Sequence, residues 1–285
     1  MDAGLHTDEA EAVLRRALDD AGIGIEDVRR VFVTHLHPDH IGMAGTLEQS
    51  GAEIVMHGPE VANARRMWSP DHSMVDDTYL WFSRHGMPKD VDDGMREAWL
   101  AMGRRVDDVA RIAEASDGEL VDLGGRATRL RWTPGHTDYH AVLIDERERV
   151  LLAGDHVLPR ITSNVGLYPF SRDDPLGDFL EALRAVRDLP VTRVLPAHGE
   201  PFDDLAGRVD EILAHHDARL RATLEAIGDS ERDAYAICHT LFPVLRSAHE
   251  ERFALAETLA HLRYLERRGK VREIDGLPVR WSAAY

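Results

Sequence analysis

The sequence predicts an α+β fold with a helical insertion and a small C-terminal domain. Short apolar runs typical of strands alternate with amphipathic helical patterns over residues 1–203. The stretch 59–117 lacks strand alternation and is predicted to be a helical insertion, whereas residues 204–285 predict helices followed by a hairpin. The 285-residue chain is 44% hydrophobic and 30% charged, which excludes wholesale disorder.

The first domain is predicted to begin with a helix over residues 8–21, whose apolar residues recur at helical spacing. Thr7 can cap its start and Gly22 can end it. Residues 30–34 and 52–57 are β-branched or aromatic runs and predict buried strands. The remaining predicted elements of this domain are three strands, a helix and a last strand, at 127–132, 141–145, 150–153, 176–189 and 193–195.

The insertion is rich in tryptophan and methionine. Helix packing accounts for most of these side chains, but methionine-rich surfaces adapt to varied ligands, so we expect a lid over an apolar pocket. Tyr168 and Phe170 follow a glycine-containing loop and are expected to reach the same pocket. In the C-terminal domain, helices are predicted at 205–227, 234–241 and 253–268, and a hairpin at 270–281. Three short helices followed by a hairpin resemble a winged-helix module.

Composition argues against several classes of function. The net charge of −17 repels phosphate backbones, so nucleic acid is not expected as a partner. The single cysteine, Cys238, excludes an internal disulfide and a multi-cysteine zinc site. No apolar run approaches the about 18 residues of a membrane span. No signal peptide is visible either, and we expect a cytoplasmic protein.

The histidines carry the strongest signal. Residues 34–40 read THLHPDH directly after a predicted strand, which places three imidazoles and a carboxylate within one short loop. A divalent metal relieves such crowding, because neutral imidazole and carboxylate are ligands that it prefers. His35 and His37 alternate and can point the same way, whereas Asp39 and His40 lie beyond the proline and can face a second point.

Three further candidates each end a strand-like run beside a glycine: His136, Asp155 and His198. Glycine allows the backbone to turn sharply and approach an ion. Seven ligands on four strand-end loops are what a hydrolytic site with two metals about 3.5–4 Å apart requires.

In order and spacing, these motifs resemble the metallo-β-lactamase superfamily over residues 2–203. The tail and the string GDHVLP resemble its lactamase-B-like branch, which contains endoribonucleases and many bacterial hydrolases. The resemblance implies a four-layer αββα sandwich with the site at one edge. It implies two metal ions, the first on three histidines and the second on an aspartate and two histidines: His35, His37 and His136, then Asp39, His40 and His198. Asp155 would bridge the two metals.

Other residues are expected to support the ligands. In the family pattern Asp2 orients a ligand, and His140 and His156 neighbour ligands and are expected behind them or in the pocket wall. Family members have further strands before the string at residues 2–4. Here Met1 directly precedes it, so either the start was assigned late or the first sheet is shorter. A shorter sheet would expose a strand edge and favour a homodimer.

The predicted chemistry is hydrolysis by a metal-bridging hydroxide, with Asp39 moving the proton. Zinc is the first choice of metal, and iron and manganese are alternatives. The acidic surface and apolar insertion favour a small ester or acyl thioester as substrate. The alternatives are a phosphodiester or RNA, a lactone or β-lactam, and a non-catalytic metal-binding or dimerisation module. Support for RNA is confined to basic residues within 263–272.

Overall fold

The structure, a computed structural model, describes residues 1–284. Its helices are α1 (Asp8–Asp20), α2 (Pro38–Ile41), α3 (Ala44–Gln49), α4 (Gly58–Met67), α5 (Ser73–Arg84), α6 (Lys89–Gly103), α7 (Pro175–Arg187), α8 (Leu205–Ile227), α9 (Ala234–Leu241) and α10 (Ala248–Arg267). Its strands are β1 (Arg30–Val33), β2 (Glu53–His57), β3 (Ile112–Ala115), β4 (Leu120–Leu123), β5 (Arg126–Trp132), β6 (Ala141–Asp145), β7 (Val150–Gly154), β8 (Arg193–Pro196), β9 (Arg232–Asp233), β10 (Val271–Ile274) and β11 (Arg280–Ala283).

Two sheets face each other across an apolar layer. The first sheet is parallel, in the order β1-β2-β3. The second has the order β4-β5-β6-β7-β8 and is antiparallel except for the β7–β8 pair. Phe32 and Val55 of the first sheet pack with Leu130 and Leu143 of the second. Every second side chain of these strands therefore points into a layer that excludes water.

Helices cover the outer faces of both sheets. Helices α1, α3 and α4 pack on the first sheet, and Leu47 and Val61 are buried against its strands. Helices α7 and α8 pack on the second sheet, and Phe179 and Val209 are fully buried there. The order of layers is therefore helix, sheet, sheet, helix, and the predicted αββα fold is confirmed.

The insertion differs from the prediction at its end. Helices α4, α5 and α6 finish at Gly103, and residues 112–115 form β3, which pairs in parallel with β2. The helical prediction for residues 104–117 is therefore wrong. The segment Ile-Ala-Glu-Ala has little strand propensity, and only its pairing with a buried neighbour makes it a strand.

The C-terminal part consists of α8, α9 and α10 with a small antiparallel sheet in the order β10-β11-β9. Trp281 is fully buried among residues of these helices, such as Ile237 and Leu255. The same apolar cluster continues into α7, so this part packs on the sandwich. The division at residues 203/204 and the winged-helix assignment remain proposals. No helix in the described part of the chain is long and apolar enough to cross a membrane.

Candidate metal centre

Four loops bring the predicted ligands together at one edge of the sandwich. His35 and His37 follow β1, and His136 lies between β5 and β6. Asp155 follows β7 directly, and His198 follows β8. The loop predicted over residues 34–40 continues from Pro38 as a single turn of helix, α2. The fixed φ of proline suits the first position of a helix.

The first ligand group is a triangle of three imidazole nitrogens. His35 Nε2 lies 2.9 Å from His37 Nδ1, which lies 3.0 Å from His136 Nε2. The third side, from His136 Nε2 to His35 Nε2, measures 3.2 Å. In a tetrahedral zinc site with zinc–nitrogen distances of about 2.0–2.1 Å, the nitrogens lie about 3.3–3.4 Å apart. The triangle therefore fits one divalent ion.

The second ligand group consists of Asp39, His40 and His198. His198 Nε2 lies 3.2 Å from Asp39 Oδ2, and His40 Nε2 lies 3.6 Å from the same oxygen. The ligand atoms of each group all lie within 4.8 Å of one another. Imidazole and carboxylate together are a donor set that first-row divalent metals accept.

Asp155 touches both groups. Its Oδ2 lies 3.4 Å from His136 Nε2 in the first group. Its Oδ1 lies 3.6 Å from His40 Nε2 and 3.5 Å from His198 Nε2 in the second. One carboxylate thus presents one oxygen to each group, and its bridging role stays a prediction.

Buried polar atoms at the centre also fit a metal. His40 Nε2 and Asp155 Oδ1 are buried and have no hydrogen-bond partner among residues 1–284. Leaving such atoms unpaired is costly, so native proteins pair nearly all of them with protein, water or an ion. His40 Nε2 belongs to the second group and Asp155 Oδ1 faces it, so a cation bound there would contact both atoms.

The electrostatics of the site favour metal ligation. Burial lowers the pKa of His35, His37 and His136, so these imidazoles are neutral at neutral pH and offer a lone pair. Burial by itself would lower the pKa of His40, but Asp2 and Asp155 raise it to about 10. The same carboxylates that stabilise a proton on His40 would stabilise a metal cation next to it.

Asp2 and Thr34 contact the Nδ1 atoms of two histidines whose Nε2 atoms belong to the ligand groups. Asp2 Oδ2 lies 3.1 Å from His40 Nδ1, and Asp2 Oδ1 accepts a hydrogen bond from the Thr34 amide at 2.8 Å. The Thr34 hydroxyl lies 2.9 Å from His35 Nδ1. Asp2 thus contacts His40 and the Thr34 backbone, and the orienting role that the resemblance implies for it stays a prediction. Thr34, which sequence analysis did not single out, extends the same support to the first ligand group.

His140 and His156 differ in their surroundings. His140 Nε2 accepts a hydrogen bond from the Asp155 amide at 3.1 Å, and its Nδ1 lies 2.8 Å from the Thr133 hydroxyl. At Gly154, φ is +50°, and an added Cβ would lie 2.7 Å from His140 Nε2. His140 thus holds the loop of Asp155. His156 is buried in the core, where its ring lies edge-on to Phe179 at a centroid distance of 5.4 Å.

Glu60 of α4 is a further positioning residue that sequence analysis missed. Its Oε1 accepts hydrogen bonds from the Leu36 amide at 3.0 Å and the Thr137 hydroxyl at 2.7 Å. It therefore ties the loop of the first two histidines to the loop of His136. The side chain is fully buried, and burial raises its pKa to about 7. No local motif marks it, because its partners are distant in sequence.

We expect Glu60→Ala to weaken metal binding by about 10–100-fold, the usual effect of losing a contact behind the ligands. The two loops would lose their shared acceptor, and the ligand triangle would loosen. A metal titration in competition with a chromogenic chelator measures the change. Glu97→Ala removes an exposed glutamate of α6 and serves as the control. Equal affinities of the two variants would contradict the positioning role.

An apolar cavity of about 590 Å³ opens next to the ligands. Helices α4, α5 and α6, here called the lid helices, line it with methionine and tryptophan side chains: Met67, Trp68, Met74, Met95, Trp99 and Met102. Trp68 Nε1 donates a hydrogen bond to the Leu36 carbonyl at 2.8 Å, which attaches the lid to the metal loop. Tyr168 and Phe170 stack on each other at 5.6 Å and also line the cavity.

The start of α10 also lines the cavity, which sequence analysis did not anticipate. His249, Arg252 and Phe253 lie in its wall. Fifty or more residues of chain, including two helices, separate these residues from the last ligand, so no spacing rule connects them with the site. The C-terminal part therefore contributes to the pocket directly.

Comparison with known proteins agrees with this geometry. The family model of the metallo-beta-lactamase superfamily matches residues 1–198, and that of the metallo-beta-lactamase-like C-terminal domain matches residues 220–282. The chain is 26% identical over 275 residues to the "Probable metallo-hydrolase YqjP" of Bacillus subtilis (strain 168), covering 93% of this chain and 83% of that protein.

Two solved structures are similar over nearly the whole chain. The metallo-beta-lactamase family protein TTHA1429 from Thermus thermophilus has a TM-score of 0.90 and 36% identity, covering 99% of this chain and 88% of that one. A beta-lactamase domain protein from Burkholderia ambifaria has a TM-score of 0.86 and 31% identity, covering 99% and 83%. The matches and the clustered ligands support a metal-dependent hydrolase. The chain belongs to the metallo-beta-lactamase superfamily.

Proposed function

We propose that the protein is a dinuclear metal-dependent hydrolase of small esters or acyl thioesters. The observation that carries this proposal is the Asp155 carboxylate, whose two oxygens contact two separate ligand groups. An apolar cavity adjoins these groups, and the side chains that line it suit an acyl chain better than a polar polymer.

The first ion would be held by His35, His37 and His136, and the second by Asp39, His40 and His198, with Asp155 shared. Zinc is our first choice. Bound ions of this kind lower the pKa of water toward about 7 and polarise a substrate oxygen. The three imidazoles that would bind the first ion are neutral. The negative charge that would balance the two cations therefore comes from Asp39 and Asp155.

The two aspartates have different roles because they differ in exposure. Both side chains line the cavity, but that of Asp155 is 10% exposed, whereas that of Asp39 is 45% exposed. Burial alone would raise the pKa of Asp39, but the hydrogen bond with His198 and the neighbouring histidines lower it to about 2. Asp39 is therefore ionised and accessible, and its position beside the ligand groups, not its low pKa, supports the proposal that it accepts a proton from the attacking water.

RNA is the main rival substrate, and the basic residues it would need are largely neutralised. Arg263 lies 3.0 Å from Glu266 and 3.3 Å from Glu273. Arg268 Nη1 lies 2.8 Å from Asp174 Oδ2. Ion pairing within the protein reduces the charge available to a phosphate backbone, and the net charge of the chain is −17.

Substrate assays of the metal-loaded protein test the proposal. The substrates are an aryl ester, an acyl thioester, a lactone, a phosphodiester and single-stranded RNA. We expect hydrolysis of the ester or thioester that is lost on chelation and restored by metal. Metal-dependent cleavage of RNA without ester hydrolysis would replace our proposal by the ribonuclease alternative. No turnover of any substrate by metal-loaded protein would favour a non-catalytic module.

Metal content provides an independent prediction. Purified protein reconstituted with zinc is expected to contain about two ions per chain, as in other two-metal hydrolytic sites. Elemental analysis after removal of free metal measures this number. His37→Ala removes a ligand of the first group only and should reduce the content by one ion. Folded protein that takes up no metal would contradict the site.

A further inference from the structure

Within residues 1–284, the cavity next to the metal ligands contains a cation that has no ion-pair partner. Arg252, in the second turn of α10, is the only arginine or lysine among the described residues that line it. No carboxylate of residues 1–284 lies within ion-pair distance of its guanidinium. Its acidic neighbours in sequence are engaged elsewhere: Glu250 accepts from the Arg246 amide at 2.7 Å, and Glu251 lies 3.0 Å from His239 Nε2.

The side chain of Arg252 is held in place without being neutralised. Its Nη1 donates a hydrogen bond to the Tyr168 hydroxyl at 3.2 Å. Its guanidinium carbon lies 4.9 Å from the centre of the Trp99 ring and 4.3 Å from that of Phe253. A guanidinium carries five N–H donors. Most of these donors remain available in a wall that is otherwise mainly apolar.

One residue connects this part of α10 to the metal ligands. The Asn164 carbonyl lies 2.8 Å from Nδ1 of His136, and Nε2 of the same ring belongs to the ligand triangle. The Asn164 side-chain amide donates to the Phe253 carbonyl at 3.3 Å. Arg252 is thus held at a defined position relative to the first ligand group, within the same cavity.

We propose that Arg252 binds an oxyanion of the substrate, a carboxylate or a phosphate, while the ester or thioester group lies at the metal ligands. The inference rests on the proposed function and narrows it to acyl substrates that carry an anionic group beyond an apolar segment. Arginine suits this role because its planar fork donates two parallel hydrogen bonds to an oxyanion, and the apolar surroundings strengthen them. The apolar segment would contact the lid helices.

Binding of small non-hydrolysable probes tests this role without depending on turnover. The probes are phenylacetate, benzylphosphonate and the neutral phenylacetamide, measured by calorimetry on metal-loaded protein. The ratio of the phenylacetamide Kd to that of each anion gives the preference for that anion. We expect wild-type protein to prefer the anions and Arg252→Gln to reduce the preference by about 10-fold or more, as for a lost hydrogen bond to a charged group. A reduction for only one anion identifies which oxyanion Arg252 recognises.

Arg246→Gln is the matched control, because Arg246 is exposed and does not line the cavity. Retention of the full preference in Arg252→Gln, or an equal loss in Arg246→Gln, would overturn the proposal. Thermal unfolding checks that Arg252→Gln still folds. If it does not, Arg252→Lys carries the test, because it keeps the charge but loses the fork and should show an intermediate preference. If Arg252→Lys kept the full preference, two parallel hydrogen bonds from the guanidinium would not be what binds the anion, and this would contradict the proposal. Failure of every ester in the substrate assays would reject the proposed function while leaving this result to stand by itself.

Discussion

Asp155→Ala is expected to give the largest loss of metal and activity of any single replacement in the centre. The carboxylate contacts His136 in one ligand group and His40 and His198 in the other, so its removal weakens both. Two cations held close together would also lose the negative charge between them. We expect metal affinity and kcat/KM to fall by more than the about 10–100-fold that is typical for residues behind the ligands.

His156→Ala is the control for this variant. His156 follows Asp155 directly and is fully buried, but its ring packs against Phe179 in the core. Its replacement should lower the melting temperature, because it leaves a cavity, and should retain the metal. Elemental analysis and chelator competition compare the two variants. An equal or larger metal loss for His156→Ala would contradict the bridging role of Asp155.

Asp39→Asn is expected to lower kcat by about 10²–10⁴-fold, the usual contribution of a general base. The amide has nearly the same shape as the carboxylate but cannot accept a proton. The ligand triangle of the first group does not include Asp39, so at least the ion held there should remain. Steady-state kinetics together with metal analysis of the same sample separate the two effects.

Glu200→Gln makes the same change of charge at an exposed position two residues from His198. It should leave kcat unchanged and so excludes a general effect of net charge. If Asp39→Asn kept full kcat with an unchanged metal content, another group would have to accept the proton.

The fold class and the ligand set could be predicted because their signals are local. The run at 34–40 places four potential ligands within one loop, and the glycines beside His136, Asp155 and His198 mark strand ends. The sandwich was implied by the family resemblance, and strand and helix periodicity, which follows from which side chains must leave water, made the elements predictable. The strand β3 was not, because its short, half-exposed sequence has little propensity of its own.

Residue order by itself therefore determined most of the elements, though not β3, and the chemical types of the ligands. Only the tertiary structure decided which groups meet. It placed Glu60 between two ligand loops and Arg252 in the cavity wall, although Arg252 lies more than fifty residues beyond His198. The reason is physical: burial, hydrogen bonding and charge depend on distances in space, and these are set when helices and sheets pack, whereas sequence spacing controls geometry only within one turn or one strand.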